Sequence, residues 1–143
     1  LMNRGLENEV LPAGRPITSG WLSSYFGMRT DPFTGRQERH KGVDFAGKAG
    51  SHVVAVAAGV VTWAGRRYGY GQLVEVNHGN GYTTRYGHNE GIKVEVGDAV
   101  KKGQTLALMG STGRSTGPHV HFEVLRDGKP VDPMQYIRSK RGK

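Results

Sequence analysis

The chain has 143 residues, a formal charge of +8 and no cysteine. That length supports one domain around a single core, and the missing cysteines exclude a disulfide scaffold and any thiolate metal site. No run of 18 apolar residues exists to cross a membrane as a helix, while the basic charge favours polyanionic partners such as nucleic acid, anionic membrane or acidic wall polymer.

Residues 1–18 lack a sustained hydrophobic period and contain Pro12, Gly14 and Pro16, so they are expected to be a lead-in or linker. No secretory signal is read at Leu1; the chain is compatible with a piece that starts after one, or inside a longer protein. From residue 19 to residue 137 the pattern becomes short apolar or alternating runs cut by glycine. There are 23 glycines in all, about 16% against a usual ~7%, with no collagen-like period. They are expected to mark turns between many short strands. "HVVAVAAG" and "VVTWAGR" surround Gly59, and "QLVEVNH" and "YTTRYGH" flank Gly79-Asn80-Gly81, a strong hairpin signal. "IKVEVGDAV", "QTLALMG" and "HVHFEVLRDGKPV" follow, the last with a turn at Asp127-Gly128. This spacing predicts an all-β sandwich or barrel of antiparallel strands. A short C-terminal helix is predicted over "PMQYIRSK", with Pro133 at a first helical position. Residues 138–143 form a basic tail, expected to be a solvated chain end.

Chemistry is concentrated in two stretches. In "HVHFEV", His119 and His121 stand at i and i+2, so a strand projects both imidazoles from one face. In "RHKGVDFAG", His40 and Asp44 stand four apart, and Gly42 argues against a helix, so they too share a side of an extended segment. Two imidazoles and a carboxylate form a ligand set suited to zinc with one position left for water, the mark of a catalytic site. The spacing leaves open which of His119 and His121 ligates. A hydrolase also needs a proton carrier beside the metal, and no His-Glu-x-x-His occurs to supply a glutamate. A non-ligating histidine suits the task, with its ordinary pKa near ~6.5. His88, read as lying on the same side of its strand as Tyr82, Thr84 and Tyr86, is the best placed of those remaining. His52, at the head of an apolar strand, and His78, before a tight turn, are assigned structural roles. Tyr68, Tyr70, Tyr82 and Tyr86 are candidates for groove lining, although aromatics at strand spacing more often pack. "GSTGRSTGP" lacks the ending of a phosphate-binding loop and is read as a groove wall.

The segments "HKGVDFAG", "GNGYTTRYGH" and "GSTGRSTGPHVHFEV", taken in order, resemble the signature segments of the lysostaphin-type (LytM-like) zinc metallopeptidases of family M23. The resemblance runs from about Gly20 to Ile137. It implies an antiparallel β fold with a groove holding one zinc ion per chain, ligated by His40, Asp44 and His121. His119 and His88 would handle the water and the developing oxyanion. It implies cleavage of peptide bonds in peptidoglycan, in the periplasm or outside the cell. "GWLSSYFGMRTDPFTGRQERH" is similar to the version in Gram-negative endopeptidases, implying the D-alanine to diaminopimelate cross-link as the bond cut. All five functional positions are intact, unlike those of relatives that only activate other wall hydrolases. The expected partners are peptidoglycan stem peptides and a regulatory segment or protein, not nucleic acid, with the chain a monomer. Three rivals are weighed. One is a noncatalytic or autoinhibited activator. Another is a lipoyl- or biotinyl-type carrier, from a hairpin in "VEVGDAVKKGQTLALMG". The third is a basic nucleic-acid binder, which leaves the histidines unexplained.

Overall fold

The computed structural model describes residues 12–30, 34–110 and 117–137, with side chains omitted at 28–30 and 37–39. The basic tail, the first eleven residues and most of the glycine-serine segment after Gly110 lie outside the described residues. Among the described residues twelve strands follow one another: β1 (Trp21–Ser24), β2 (Gly27–Thr30), β3 (Gln37–His40), β4 (Val43–Ala46), β5 (His52–Val54), β6 (Gly59–Arg67), β7 (Gly71–Gly79), β8 (Tyr82–Ile92), β9 (Ala99–Val100), β10 (Thr105–Met109), β11 (His119–Arg126) and β12 (Lys129–Val131). One helical turn, α1 (Met134–Ile137), ends the described chain. Asp132 caps it by accepting from the Met134 amide, and Pro133 stands where its missing N–H costs nothing.

The principal sheet runs β1-β4-β11-β8-β7-β6-β9, with β10 joining β5 to the far end of β8 and β12 beside β11; β2 and β3 form a separate pair. Every pairing is antiparallel, as the alternating runs predict. The two turn signals close hairpins as expected. Asn80 and Gly81 both take positive φ (53° and 85°), as do Asp127 and Gly128 (53° and 82°), the conformation that matches strand twist at a two-residue turn. The carrier-like hairpin is not present: β9 pairs with β6, and β10 with β5 and β8.

Alternation sorts the central strands into two faces. One carries Val43 and Phe45 from β4, Val120, Phe122 and Val124 from β11, Thr84 and Tyr86 from β8, and Val74 and Val76 from β7, all buried. They pack with Val53, Val56, Leu106 and Met109 into one apolar core. A fully buried side chain such as Phe122 contributes about 1.5–3 kcal/mol. His78 points into this core. Its Nδ1–H donates to the Ala58 carbonyl and its Nε2 accepts from the Thr84 hydroxyl, both at 2.7 Å. Tyr86 donates to Thr84 at 2.7 Å and accepts from the Val56 amide, so the side-chain polar hydrogens of His78, Thr84 and Tyr86 each have a partner. His52 is exposed and meets the Thr105 hydroxyl at 2.9 Å. The lead-in also reaches the core. Ala13 and Ile17 are buried, Ile17 bridges Val53, and the Val54 amide donates to Pro16.

Candidate metal centre

The opposite face of the same sheet is polar, and register builds it. In β11 and β4, His121 stands directly across from Asp44, and His119 across from Ala46. Directly opposed residues of an antiparallel pair share a face with Cβ atoms about 5 Å apart. His40 arrives at the end of β3, whose last residue pairs with Gly27. Gly42 then lets the chain press against β11: a Cβ there would collide with the Phe122 carbonyl and lie 2.9 Å from Glu123 Cγ.

Three candidate ligand atoms converge. His40 Nε2 lies 3.3 Å from His121 Nδ1 and 3.4 Å from Asp44 Oδ2, and His121 Nδ1 lies 2.9 Å from Asp44 Oδ1. Tetrahedral ligands about 2.05 Å from zinc are separated by about 3.3 Å, so the donors fit that ion by both chemistry and spacing. Each imidazole is turned by its other nitrogen. His40 Nδ1–H donates to the Tyr25 carbonyl at 3.0 Å, and His121 Nε2–H donates to Glu123 Oε2 at 2.9 Å. Burial alone would push Asp44 up, but hydrogen bonds from His121 and His40 outweigh it and hold the carboxyl far below the usual range. Burial alone would likewise push His121 down; Asp44 and Glu123 reverse this and raise it to about 9.

His119 lies on the same face but stands back from the cluster. Its Nδ1–H donates to the Gly117 carbonyl at 3.0 Å, and its Nε2 faces Asp44 Oδ1 at 3.9 Å. The His88 ring is 4.9 Å from His119 and 6.2 Å from His121, centroid to centroid. All five residues picked from the sequence thus meet in one place.

His88 does not share a side with Tyr82, Thr84 and Tyr86 as strand alternation predicts. Thr84 and Tyr86 face the core, and strict alternation would send His88 there too. Instead, β8 carries a bulge. Gln72 opposes Asn89 and Val74 opposes Tyr86, so Gly87 and His88 together face Leu73. His88 has a positive φ of 66°, which reverses its side chain onto the polar face. Its amide donates to the Tyr70 carbonyl at 2.7 Å. Buried Asn89 clips both ends of the bulge, donating to Gln72 O at 3.0 Å and Tyr86 O at 2.8 Å. Gly87, opposite His121, leaves room for Tyr70, whose atoms would lie 3.2–3.5 Å from an added Cβ.

Sequence reading passed over a second layer. Glu123 is only 2% exposed, yet it carries a carboxylate that accepts from His121, from the Tyr70 hydroxyl (3.0 and 3.1 Å) and from Arg85 Nη1 (3.5 Å). Burial alone would raise its pKa; the hydrogen bond from His121, with Tyr70 and Arg85, overrides this and lowers it. Burial, then the Glu123 charge, pushes Tyr70 up, so it remains a proton donor. The signal for Glu123 was the same period of two that paired His119 with His121. Of the other tyrosines, Tyr86 is in the core, Tyr82 packs edge-on to Tyr136 at 5.7 Å, and Tyr68 is fully exposed.

Comparison with known proteins agrees on the family, while the curated relatives include an activator as well as enzymes: murein hydrolase activator NlpD of Salmonella dublin is 38% identical over 120 residues, 83% of this chain and 32% of that protein. The model of peptidase family M23 matches residues 38–133. Peptidoglycan DD-endopeptidase ShyB of Vibrio cholerae is 43% identical over 123 residues, 86% of this chain and 28% of that protein. The structure of a zinc containing peptidase from Vibrio cholerae matches with a TM-score of 0.70 and 38% identity, over 92% of this chain and 40% of that one. Lysostaphin of Staphylococcus simulans matches with a TM-score of 0.79 and 31% identity, over 92% of this chain and 56% of that one. The chain spans 27–41% of the length of the first curated relatives it matches.

Proposed function

The chain belongs to peptidase family M23, and from that premise we propose that it is a zinc-dependent endopeptidase domain acting on peptidoglycan cross-links in the cell envelope. The observation that carries the proposal is the convergence of His40 Nε2, Asp44 and His121 Nδ1 at separations of 2.9–3.4 Å. These residues would hold one zinc ion per chain. Bound there, zinc supplies Lewis acidity, polarising a carbonyl and lowering the pKa of water to about 7. In this reading His88 and His119 take a proton from water and return one to the leaving amine, which their ring separation of 4.9 Å supports. As the imidazolium, either stabilises charge developing on the carbonyl oxygen, and loss of such a donor costs about 100- to 1,000-fold in rate. The D-alanine to diaminopimelate bond is proposed as the one cut, by likeness to the DD-endopeptidase relative.

The test is a digest of cross-linked muropeptides with the wild type and His121→Ala, each with and without chelator, with products identified by mass. Cleavage of the cross-link that both chelator and substitution abolish is the expected result. Chelator-insensitive cleavage overturns the proposal. No cleavage by a zinc-loaded wild type favours the rival reading, a noncatalytic activator, which the complete donor set argues against.

A further inference from the structure

Glu123 is the one fully buried carboxylate among the described residues, and the metal cluster has no direct use for it. Its surroundings are built in register. Glu75 on β7, Arg85 on β8 and Glu123 on β11 are mutual partners across three adjacent strands, so their side chains share the polar face as a row of alternating charge. The row lies two residues along from the one holding Asp44, His121 and Gly87. Hydrogen bonds run outward from Arg85 to both sides of the row. Arg85 Nε donates to Glu75 Oε2 at 2.7 Å, Arg85 Nη1 donates to the Tyr70 hydroxyl at 3.1 Å, and Tyr70 donates to Glu123. With Arg85 and Tyr70 fixed against it, Glu123 has Oε2 aimed at His121 Nε2, 2.9 Å away. Two glycines clear the space this needs: Gly42 beside Glu123 Cγ, and Gly87 under Tyr70.

We propose that Glu123, braced by Tyr70 and the Arg85–Glu75 pair, is a positioning residue that pins the His121 proton on Nε2 and so presents the Nδ1 lone pair to the metal. Such a carboxylate partner fixes both tautomer and ring orientation, and removing one typically costs 10–100-fold in metal affinity. The inference rests on the proposed metal role of His121. An orphaned tautomer is the physical alternative: without Glu123, a neutral His121 is free to carry its proton on Nδ1, where it opposes the ion.

The test measures zinc affinity directly. The purified chain is stripped of metal and titrated with zinc against a chromophoric chelator, as wild type, Glu123→Ala, Glu123→Gln and Tyr70→Phe. Glu123→Ala is expected to bind about 100-fold more weakly. Glu123→Gln keeps an acceptor but loses the charge, so about 10-fold is expected. Tyr70→Phe, which only loosens the brace, should fall between wild type and Gln. A long-range proton–nitrogen correlation spectrum of the zinc-loaded protein adds a readout that mere destabilisation would not move. His121 should show a protonated Nε2 and a coordinated Nδ1 in the wild type. If Glu123→Ala fails to fold, the Gln and Phe variants decide. Affinities of Glu123→Gln and Tyr70→Phe within twofold of wild type overturn the inference, as does a wild-type His121 bound through Nε2; the proposed function survives either result. A wild type that takes up no zinc overturns both.

Discussion

Replacing Asn89 with leucine keeps its branched outline, with bulkier methyl groups, and removes the amide that clips the bulge of β8. The Asn89 side chain donates to Gln72 O and Tyr86 O, and Asn89 is fully buried. Two hydrogen bonds are worth about 1 kcal/mol each, and stranding a buried carbonyl adds about 1–3 kcal/mol. Against this, relaxing His88 from its left-handed conformation recovers about 1–2 kcal/mol. The net expectation is a loss of about 1–4 kcal/mol, or roughly 3–12 °C in Tm for a domain of this size. The functional consequence is larger. A relaxed β8 returns to alternation, and His88 turns away from His119 and His121, with an expected fall of about 100- to 1,000-fold in cross-link cleavage. Thermal unfolding and single-turnover digestion measure the two effects separately. A leucine variant within 1 kcal/mol of wild-type stability and with full cleavage would refute the claim that the clip holds the bulge, and with it the account of how His88 reaches the site.

Acidification should act through the core. Burial, only partly offset by the bond to Ala58, lowers the His78 pKa below its ordinary 6.5. The unfolded chain therefore binds the proton more readily, so stability from this residue is complete above about pH 6.5 and is lost as pH falls toward the folded value. Urea unfolding at pH 7.5 and 5.5 should show a wild-type advantage over His78→Gln that shrinks at the lower pH; an unchanged advantage contradicts this. Zinc at a thousand times its Kd should stabilise the fold by about 4 kcal/mol, reversibly with chelator and not in His121→Ala, as read by Tm. Gly42→Ala places a methyl group against the Phe122 carbonyl and Glu123 Cγ, forcing β4 from β11. Overpacking of this kind costs about 1–3 kcal/mol or more, and zinc affinity should fall with it; wild-type unfolding and affinity in this variant would show that the strands tolerate the separation.

The strands, their hairpins and the candidate histidine pair were legible because each depends on a local rule, whereas the choice of His121 over His119 as a ligand came only from the family resemblance. Period two puts His119 and His121 on one face, and Asn80-Gly81 and Asp127-Gly128 fix the turns by their need for positive φ. What escaped depends on register between distant strands. Nothing near Glu123 in sequence announces Arg85 or Glu75; only the pairing of β7, β8 and β11 aligns them. The same rule that found the site misplaced the reason for His88, because a bulge is an exception to alternation and Gly87-His88-Asn89 carries no strong local mark of one.

The two faces of β11 explain why the exception is needed. Val120, Phe122 and Val124 bury an apolar row while His119, His121 and Glu123 hold a polar one, so a single strand is at once core and site. The neighbouring β8 cannot do the same by alternation. Opposite His121 it must offer no side chain, since a Cβ at Gly87 would press on Tyr70. The residue meant for the site is displaced by one position and has to be turned back through a left-handed backbone. That strain is held by Asn89 and by the amide bond from His88 to Tyr70, and the same Tyr70 braces Glu123 with its hydroxyl. The orientations of the candidate proton carrier and of the candidate ligand His121 are therefore coupled through one tyrosine, and substitutions at Tyr70 and Asn89 should be non-additive in cleavage rate.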